Sequence, residues 1–352
     1  MSTTVTWDEA KASVDSNYLD AWDFVTPTHN LSLPPRFADT NTNMVDVGNL
    51  PWEVNESFAL TPTAHSQMLG RIKFPERFWN HLGYHGLYSK RESIANDLLV
   101  DHDSVAMVRQ TGGCVFGLMS PCYERIGHDF VMDVLGNAKI SDRFDLKSFK
   151  HKKDYMNLKF TTKVENVGDY GVGFSLTNSE SGLSRFRMST YIFVLACSNG
   201  MIANKGEVGT QISMIHKGAK VHMGMLEPPR WANSKFKVLR SQIEKNIALA
   251  EDESLLLSIT ETIDRAKRTT VADADQHFES ISVMLKLSEE EKKAYNDSLK
   301  THWATSGEGE AQNSLWGSVQ ALTFVAHTNP IFSSSFRQEE IESEAWNILV
   351  GG

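Results

Sequence analysis

The feature that most constrains the fold is a change of hydrophobic periodicity near residue 225. Upstream of it, apolar and polar residues alternate, which is the period of a half-buried β-strand. Downstream, apolar residues recur every three or four positions, as in amphipathic helices. The alternating runs lie at about 155–164, 171–177 and 184–197. The sequence therefore predicts an antiparallel sheet followed by a helical region.

The residues before these runs predict further elements. Gly112 and Gly113 separate two strand-like runs and predict a β-hairpin over 104–118. The stretch "HDFVMDVLGNA" (128–138) predicts a short helix, and residues 61–100 predict helices. Prolines interrupt residues 1–60, where we expect an irregular arm with a short helix near Trp7–Trp22.

These elements predict an α+β fold: an antiparallel sheet with a hairpin-helix-meander core, N-terminal helices and a C-terminal helical region. The predicted divisions are an irregular N-terminal arm (1–60), an α+β core domain (61–225) and a helical C-terminal region (226–352). The first 15 residues lack the pattern of a signal peptide, and no window has about 18 uninterrupted apolar residues. We therefore expect a cytoplasmic protein without a membrane partner.

The overall charge limits which ligands are expected. The formal net charge is −9, unlike the basic character of many nucleic-acid-binding domains. Any nucleic-acid surface must therefore be a local patch on an acidic body. The three cysteines are too few and too widely spaced for a disulfide framework.

Metal and cofactor sites are not predicted. Seven residues separate Cys114 from Cys122, whereas structural zinc usually uses tighter pairs. His216 and His222 are six apart, and the sequence shows no third ligand beside them. Phosphate-binding glycine motifs are also absent from the sequence.

The sequence "ACSNG" (196–200) ends the third strand-like run. Cys197 is a nucleophile only if a base is positioned beside it. Asn199 and Gly200 both tolerate left-handed backbone, so a tight turn explains the pair. Glu180 lies in the turn-like segment "NSES". Two interpretations stay open for it: a functional residue or a solvated one.

One face of the predicted sheet is mixed in character. It combines cations with aromatic rings, as single-stranded nucleic acid requires, because cations contact phosphates and rings stack on bases. A solvent-facing side with ordinary charge alternation explains the same pattern, so both interpretations stay open. The candidate nucleic-acid-binding residues are Tyr155, Lys159, Lys163, Arg185, Arg187 and Tyr191.

The order of several segments resembles the phage/plasmid-like family defined by domain of unknown function 932. The segments are "VRQTGGCVFGLMSPCYERIGHDFVMDVL", "GVGFSLTNSESG", "YIFVLACSNGMI", "MIHKG" and "NSLWGSVQALT". The chain departs from the family in "SPCYERIGHD" and in Val194-Leu195-Ala196 before the cysteine. The resemblance implies a phage, prophage or plasmid gene and a bacterial cytoplasm. By analogy of fold it suggests single-strand annealing proteins, which form rings or filaments.

Three functional hypotheses follow. The first is a non-enzymatic, homo-oligomeric protein of DNA metabolism that binds or anneals single-stranded nucleic acid. The second is a protein-interaction module that modulates a host or phage factor without binding nucleic acid. The third is a divergent enzyme that uses Cys197 or His216.

Overall fold

The computed structural model describes most of the chain. The described residues are 5–16, 22–34, 43–47, 56–102, 104–152, 154–163, 170–194, 199–203, 211–217, 224–225, 234–304, 311, 313–332 and 334–351. Cys197 and His222 lie outside them, so the hypothesis of a catalytic Cys197 stays a prediction.

Helices occupy both ends of the chain and part of its centre. In chain order they are α1 (Trp7–Ser16), α2 (Pro62–Arg71), α3 (Glu76–Tyr84), α4 (Tyr88–Asp101), α5 (His128–Asn137), α6 (Ile140–Arg143), α7 (Ser234–Leu249), α8 (Glu253–Arg268), α9 (Ala274–Met284), α10 (Glu289–Ala304), α11 (Leu315–Thr328) and α12 (Ser335–Gly351). The prediction of an α+β fold with N-terminal and C-terminal helices is confirmed.

The strands lie between α1 and α7. They are β1 (Trp22–Pro27), β2 (Leu31–Ser32), β3 (Asn43–Val47), β4 (Glu56–Leu60), β5 (Val105–Thr111), β6 (Cys114–Met119), β7 (Phe144–Lys152), β8 (Tyr155–Thr162), β9 (Tyr170–Ser179), β10 (Phe186–Val194), β11 (Asn199–Ala203), β12 (Gln211–Met214) and β13 (Gly224–Met225). The predicted hairpin is β5–β6, with Gly112 and Gly113 at positive φ in its turn.

The first sheet contains the predicted N-terminal arm. Its described strands follow the order β13-β1-β5-β6-β4-β3-β2. The expectation of an irregular arm is therefore wrong for β1 to β4. Prolines prevent helices here but still allow short strands, and Pro27 stands at the end of β1. Phe24, Val45 and Phe58 bury their side chains in one core with residues of α2, α3 and α4.

The second sheet is the predicted meander. Its described strands follow the order β11-β10-β9-β8-β7, and β12 also pairs with β10. One face packs in a core with α5 and α7, through residues that include Met156, Leu158, Phe160, Phe186 and Met188. The alternation in the sequence predicts this core face correctly. The sequence analysis does not predict β7, because lysines and polar residues interrupt its apolar alternation.

The helical C-terminal region covers the sheet in an unexpected place. Side chains of α12 contact the polar face of the second sheet, which the sequence predicts to face solvent. The apolar side of α12 packs with α8 and α11, where Ala345, Trp346 and Leu349 are buried. Within the described part of the chain, none of the helices is long and apolar enough to cross a membrane.

Candidate functional site

Three of the six predicted binding residues are buried. Tyr155, Lys159 and Tyr191 expose 5%, 6% and 1% of their surface, so their placement on an open sheet face is wrong. The reason is α12, whose Glu339 accepts hydrogen bonds from the Tyr155 hydroxyl at 2.9 Å and from Asn157 at 2.8 Å. The rings and cation predicted for nucleic acid are thus used inside the protein.

The positive charge of Lys159 is paired with a carboxylate within the same interface. Its Nζ pairs with the carboxylate of Glu342 on α12 and lies 4.8 Å from the centre of the Tyr191 ring. Nε2 of His327 contacts the same carboxylate at 2.8 Å. Burial raises the pKa of Glu342, but Lys159 and His327 outweigh it, and the pKa lies below its ordinary value. A charge paired in this way is a structural group.

The other three predicted residues remain accessible but do not form one surface. Lys163 follows β8, is exposed, and donates to the carbonyl of Ser141 at 2.6 Å. Arg185, which directly precedes β10, is exposed, and Arg187, in β10, is half-buried. In the antiparallel register Arg187 pairs with Thr177, which in turn pairs with Asn157 near the Tyr155 end of β8. Lys163 lies beyond the opposite end of β8. Only Arg185 and Arg187 stand together.

These two arginines line a surface cavity of about 440 Å³. Three separate segments build it: the β6–α5 connection, the β9–β10 connection together with the first residues of β10, and the residues just after β12. The lining residues are Tyr123, Gly182, Leu183, Ser184, Arg185, Arg187, Ile215 and His216. Gly182 adopts φ +78°, a left-handed conformation that favours glycine and turns the chain into the cavity wall.

Tyr123 and His216 form one wall of the cavity. Their rings stack with centroids 5.0 Å apart and planes within 4° of parallel. The Tyr123 hydroxyl donates to the carbonyl of Ser179 at 2.8 Å, and Nδ1 of His216 lies 3.2 Å from the carbonyl of Glu124. Burial lowers the pKa of His216 to about 4, so the imidazole is neutral at pH 7. The wall is therefore an uncharged aromatic surface with both rings held in place.

Glu180, at the base of the β9–β10 connection, anchors the turn. It is 1% exposed, so the interpretation of Glu180 as a solvated residue is wrong. Its carboxylate accepts from the backbone N–H of His128 and lies 3.3 Å from the guanidinium of Arg109. Burial raises the pKa of Glu180 to about 8, against the hydrogen bond from His128.

Arg109 joins the two sheets at this point. Its Nε lies 3.1 Å from Oδ1 of Asp23 on β1. Its Nη1 also donates a hydrogen bond to the backbone carbonyl of Glu180 at 3.1 Å. Burial lowers the pKa of Arg109 to about 10, which still leaves it charged at pH 7. The position of the cavity turn thus depends on Arg109 and its contacts with Glu180 and Asp23.

Sequence reasoning missed the cavity because its parts are far apart in the chain. The quoted segments "SPCYERIGHD", "GVGFSLTNSESG" and "MIHKG" each supply one part of the cavity or its support. Their fixed order was the available signal, but order alone does not show that they meet. Among the described residues, no group of three or more His, Cys, Asp or Glu side chains is arranged to hold a metal.

Comparison with known proteins identified no relative of this chain. No protein-family model matches this chain, and neither a curated protein nor a solved structure matches it. The resemblance to domain of unknown function 932 therefore stays a prediction. The function must be argued from the geometry of the cavity itself.

Proposed function

We propose that this protein binds single-stranded nucleic acid at the cavity, as a non-enzymatic protein of phage or plasmid DNA metabolism in the bacterial cytoplasm. One observation carries the proposal: Arg185 and Arg187 line the same cavity of about 440 Å³ as the ring of Tyr123. Guanidinium groups bind phosphates, and aromatic rings stack on unpaired bases. This site replaces the covered sheet face as the binding surface.

The charge around the cavity supports an anionic ligand. Lys217, next to His216, is exposed and forms an isolated β-bridge with Tyr123, which adds a third cation near the wall. The cavity lining, as far as the structure describes it, contains no carboxylate. A local cationic site on a chain of net charge −9 favours a polyanion at that site only.

The chemistry of the lining favours binding over catalysis. A guanidinium stays protonated at neutral pH and cannot act as a general base. The imidazole of His216 is packed against Tyr123, and its Nδ1 faces the backbone of Glu124. We therefore infer binding or annealing, with a homo-oligomer as the acting form, which light scattering of the purified protein would test.

The test is a double variant, Arg185→Ala with Arg187→Ala, in fluorescence anisotropy with labelled single-stranded DNA and RNA. We expect binding to weaken at least tenfold for every sequence. The slope of log affinity against log salt should fall by about 0.7 for each lost cation. The matched control is Lys293→Ala with Lys300→Ala on α10, which removes two exposed cations from a helix that packs against α11. Equal weakening in both double variants would contradict a local site.

A protein-interaction module is the second candidate. It rests on exposed apolar side chains of α3 and the α3–α4 connection: Tyr84 is 87% exposed, with Phe78 at 45% and Leu87 at 44%. Exposed apolar side chains mark a protein-binding surface where they form a contiguous patch. A pull-down with nuclease treatment separates the candidates. Partners that survive nuclease and depend on Tyr84, with no oligonucleotide binding at low salt, would favour the second.

A further inference from the structure

The geometry points to a specific ligand for the cavity: one unstacked nucleotide, with its base against Tyr123 and its phosphate on Arg185 and Arg187. The inference rests on the proposed function and deepens it. A protein that only follows a phosphate backbone needs a cationic groove. A cavity beside the cations implies that one base leaves the strand and enters the protein.

The size of the cavity fits a small ligand. At about 440 Å³ it lies within the range of roughly 300–1,000 Å³ that small-molecule sites occupy. Such sites combine an apolar lining with a few polar groups that fix the orientation of the ligand. The lining of this cavity is more evenly mixed, with two arginines and Ser184 beside Tyr123, Leu183 and Ile215.

The lining is divided between apolar and cationic groups. Leu183 and Ile215 both line the cavity, yet they expose 41% and 55% of their surface, which is unusual for large aliphatic side chains. Arg187 lies in β10, Arg185 directly precedes that strand, and both line the cavity. A nucleotide has the matching division, because its base is flat and apolar on both faces and its phosphate is anionic.

The aromatic wall is ordered before any ligand arrives. Tyr123 is fixed at its hydroxyl by the Ser179 carbonyl and at its ring by the parallel ring of His216. Ordering a side chain on binding costs free energy, so a fixed ring stacks on a base at lower cost. Gly182 lies close to this ring, since a Cβ there would be 3.5 Å from Cε2 of Tyr123.

The experiment uses the full chain and three probes in isothermal titration calorimetry: dAMP, deoxyadenosine and deoxyribose 5-phosphate. We expect dAMP to bind at one site per chain. Deoxyadenosine, which lacks the phosphate, and deoxyribose 5-phosphate, which lacks the base, should each bind at least tenfold more weakly. That ratio is expected from the loss of charge-assisted hydrogen bonds in one case and of base stacking in the other.

Two variants with matched controls locate the base and the phosphate. Tyr123→Leu should weaken dAMP at least tenfold and leave deoxyribose 5-phosphate unchanged, whereas Tyr84→Leu, which removes a ring on α3, should change neither. Ile215→Glu should repel both phosphate ligands, whereas Leu257→Glu, at a 60% exposed position on α8, should not. Retained binding of the sugar phosphate by Tyr123→Leu shows that this variant is folded.

The outcomes separate the inference from the proposed function. Oligonucleotide binding that needs Arg185 and Arg187, without dAMP binding, would overturn the nucleotide pocket and leave the proposed function standing. Saturable dAMP binding without oligonucleotide binding would overturn the proposed function and leave the nucleotide pocket standing. Equal affinity for dAMP and deoxyribose 5-phosphate would also overturn the pocket, because the base would then contribute nothing.

Discussion

The guanidinium of Arg109 lies 3.3 Å from the carboxylate of Glu180, and neither side chain is more than 2% exposed. Arg109 belongs to β5 in the first sheet, and Glu180 directly follows β9 in the second. This pair therefore connects the two sheets at the base of the turn that forms the cavity. Its loss should affect both the stability of the fold and the shape of the site.

The first prediction concerns this connection. Arg109→Met leaves the largely buried carboxylate of Asp23 without its cation and removes the partner of the Glu180 carboxyl group, and breaking a buried pair typically costs about 3–5 kcal/mol. Urea denaturation should show a loss of this size in the free energy of unfolding. Arg143→Met is the control, because its pair with Glu251 is about one third exposed and should cost about 1 kcal/mol or less. Similar losses in the two variants would contradict the importance of burial.

The second prediction is a fall in stability as the pH rises. The pKa of Glu180 is raised by burial to about 8 in the fold, from an ordinary value of 4.5. The folded state therefore holds a proton that the unfolded state has lost between these pH values, and the contribution of Glu180 to stability decreases as the pH rises from about 4.5 to 8. Glu180→Gln should flatten this decrease in urea titrations from pH 5 to pH 8. An unchanged slope would show that Glu180 is ionised in the fold.

The third prediction is an opposite dependence at acid pH. Burial lowers the pKa of His216 and of His151 to about 4, from 6.5. The stability that comes from keeping these rings neutral is complete above pH 6.5 and is lost as the pH falls toward 4. His216→Phe keeps a ring against Tyr123 and should reduce the loss. Equal acid sensitivity of the variant and the natural protein would assign the loss to other groups.

The strands and their core face were predictable because alternation is a local property of the sequence. Coverage of the opposite face was not, because it depends on α12, whose Glu342 is far along the chain from Lys159. The same limit applies to the cavity, which needs Tyr123, Arg185 and His216 from three segments. One prediction from residue type alone was also wrong. Asn199 and Gly200 predict a turn, but they begin β11 and pair with β10.

The fourth prediction tests the covered face. Lys159→Met removes the cation that faces the buried Glu342 and should cost about 3–5 kcal/mol of unfolding free energy. The double variant Lys159→Met with Glu342→Leu replaces the pair by apolar groups and should recover most of that loss. Nucleic-acid binding by the double variant should equal that of the natural protein. Lost binding in a stable double variant would return Lys159 to the list of binding residues.

The last prediction concerns Gly200, which the sequence assigns to a turn. In β11 it lies opposite Phe193, and a Cβ at this position would be 2.3 Å from the Tyr191 hydroxyl and 2.6 Å from the carbonyl oxygen of Ile192. The glycine is thus required by the close approach of a buried ring and a backbone group. Gly200→Ala should lower the free energy of unfolding by about 1–3 kcal/mol or more, as overpacking does.

The control for Gly200→Ala is Gly70→Ala, in α2. A Cβ at Gly70 meets nothing within 4 Å, and alanine is favoured over glycine inside a helix by roughly 0.5–1 kcal/mol. Thermal and urea unfolding should therefore move in opposite directions for the two variants. A neutral Gly200→Ala would mean that Tyr191 can move, and the β10–β11 packing would then not explain why glycine stands at this position.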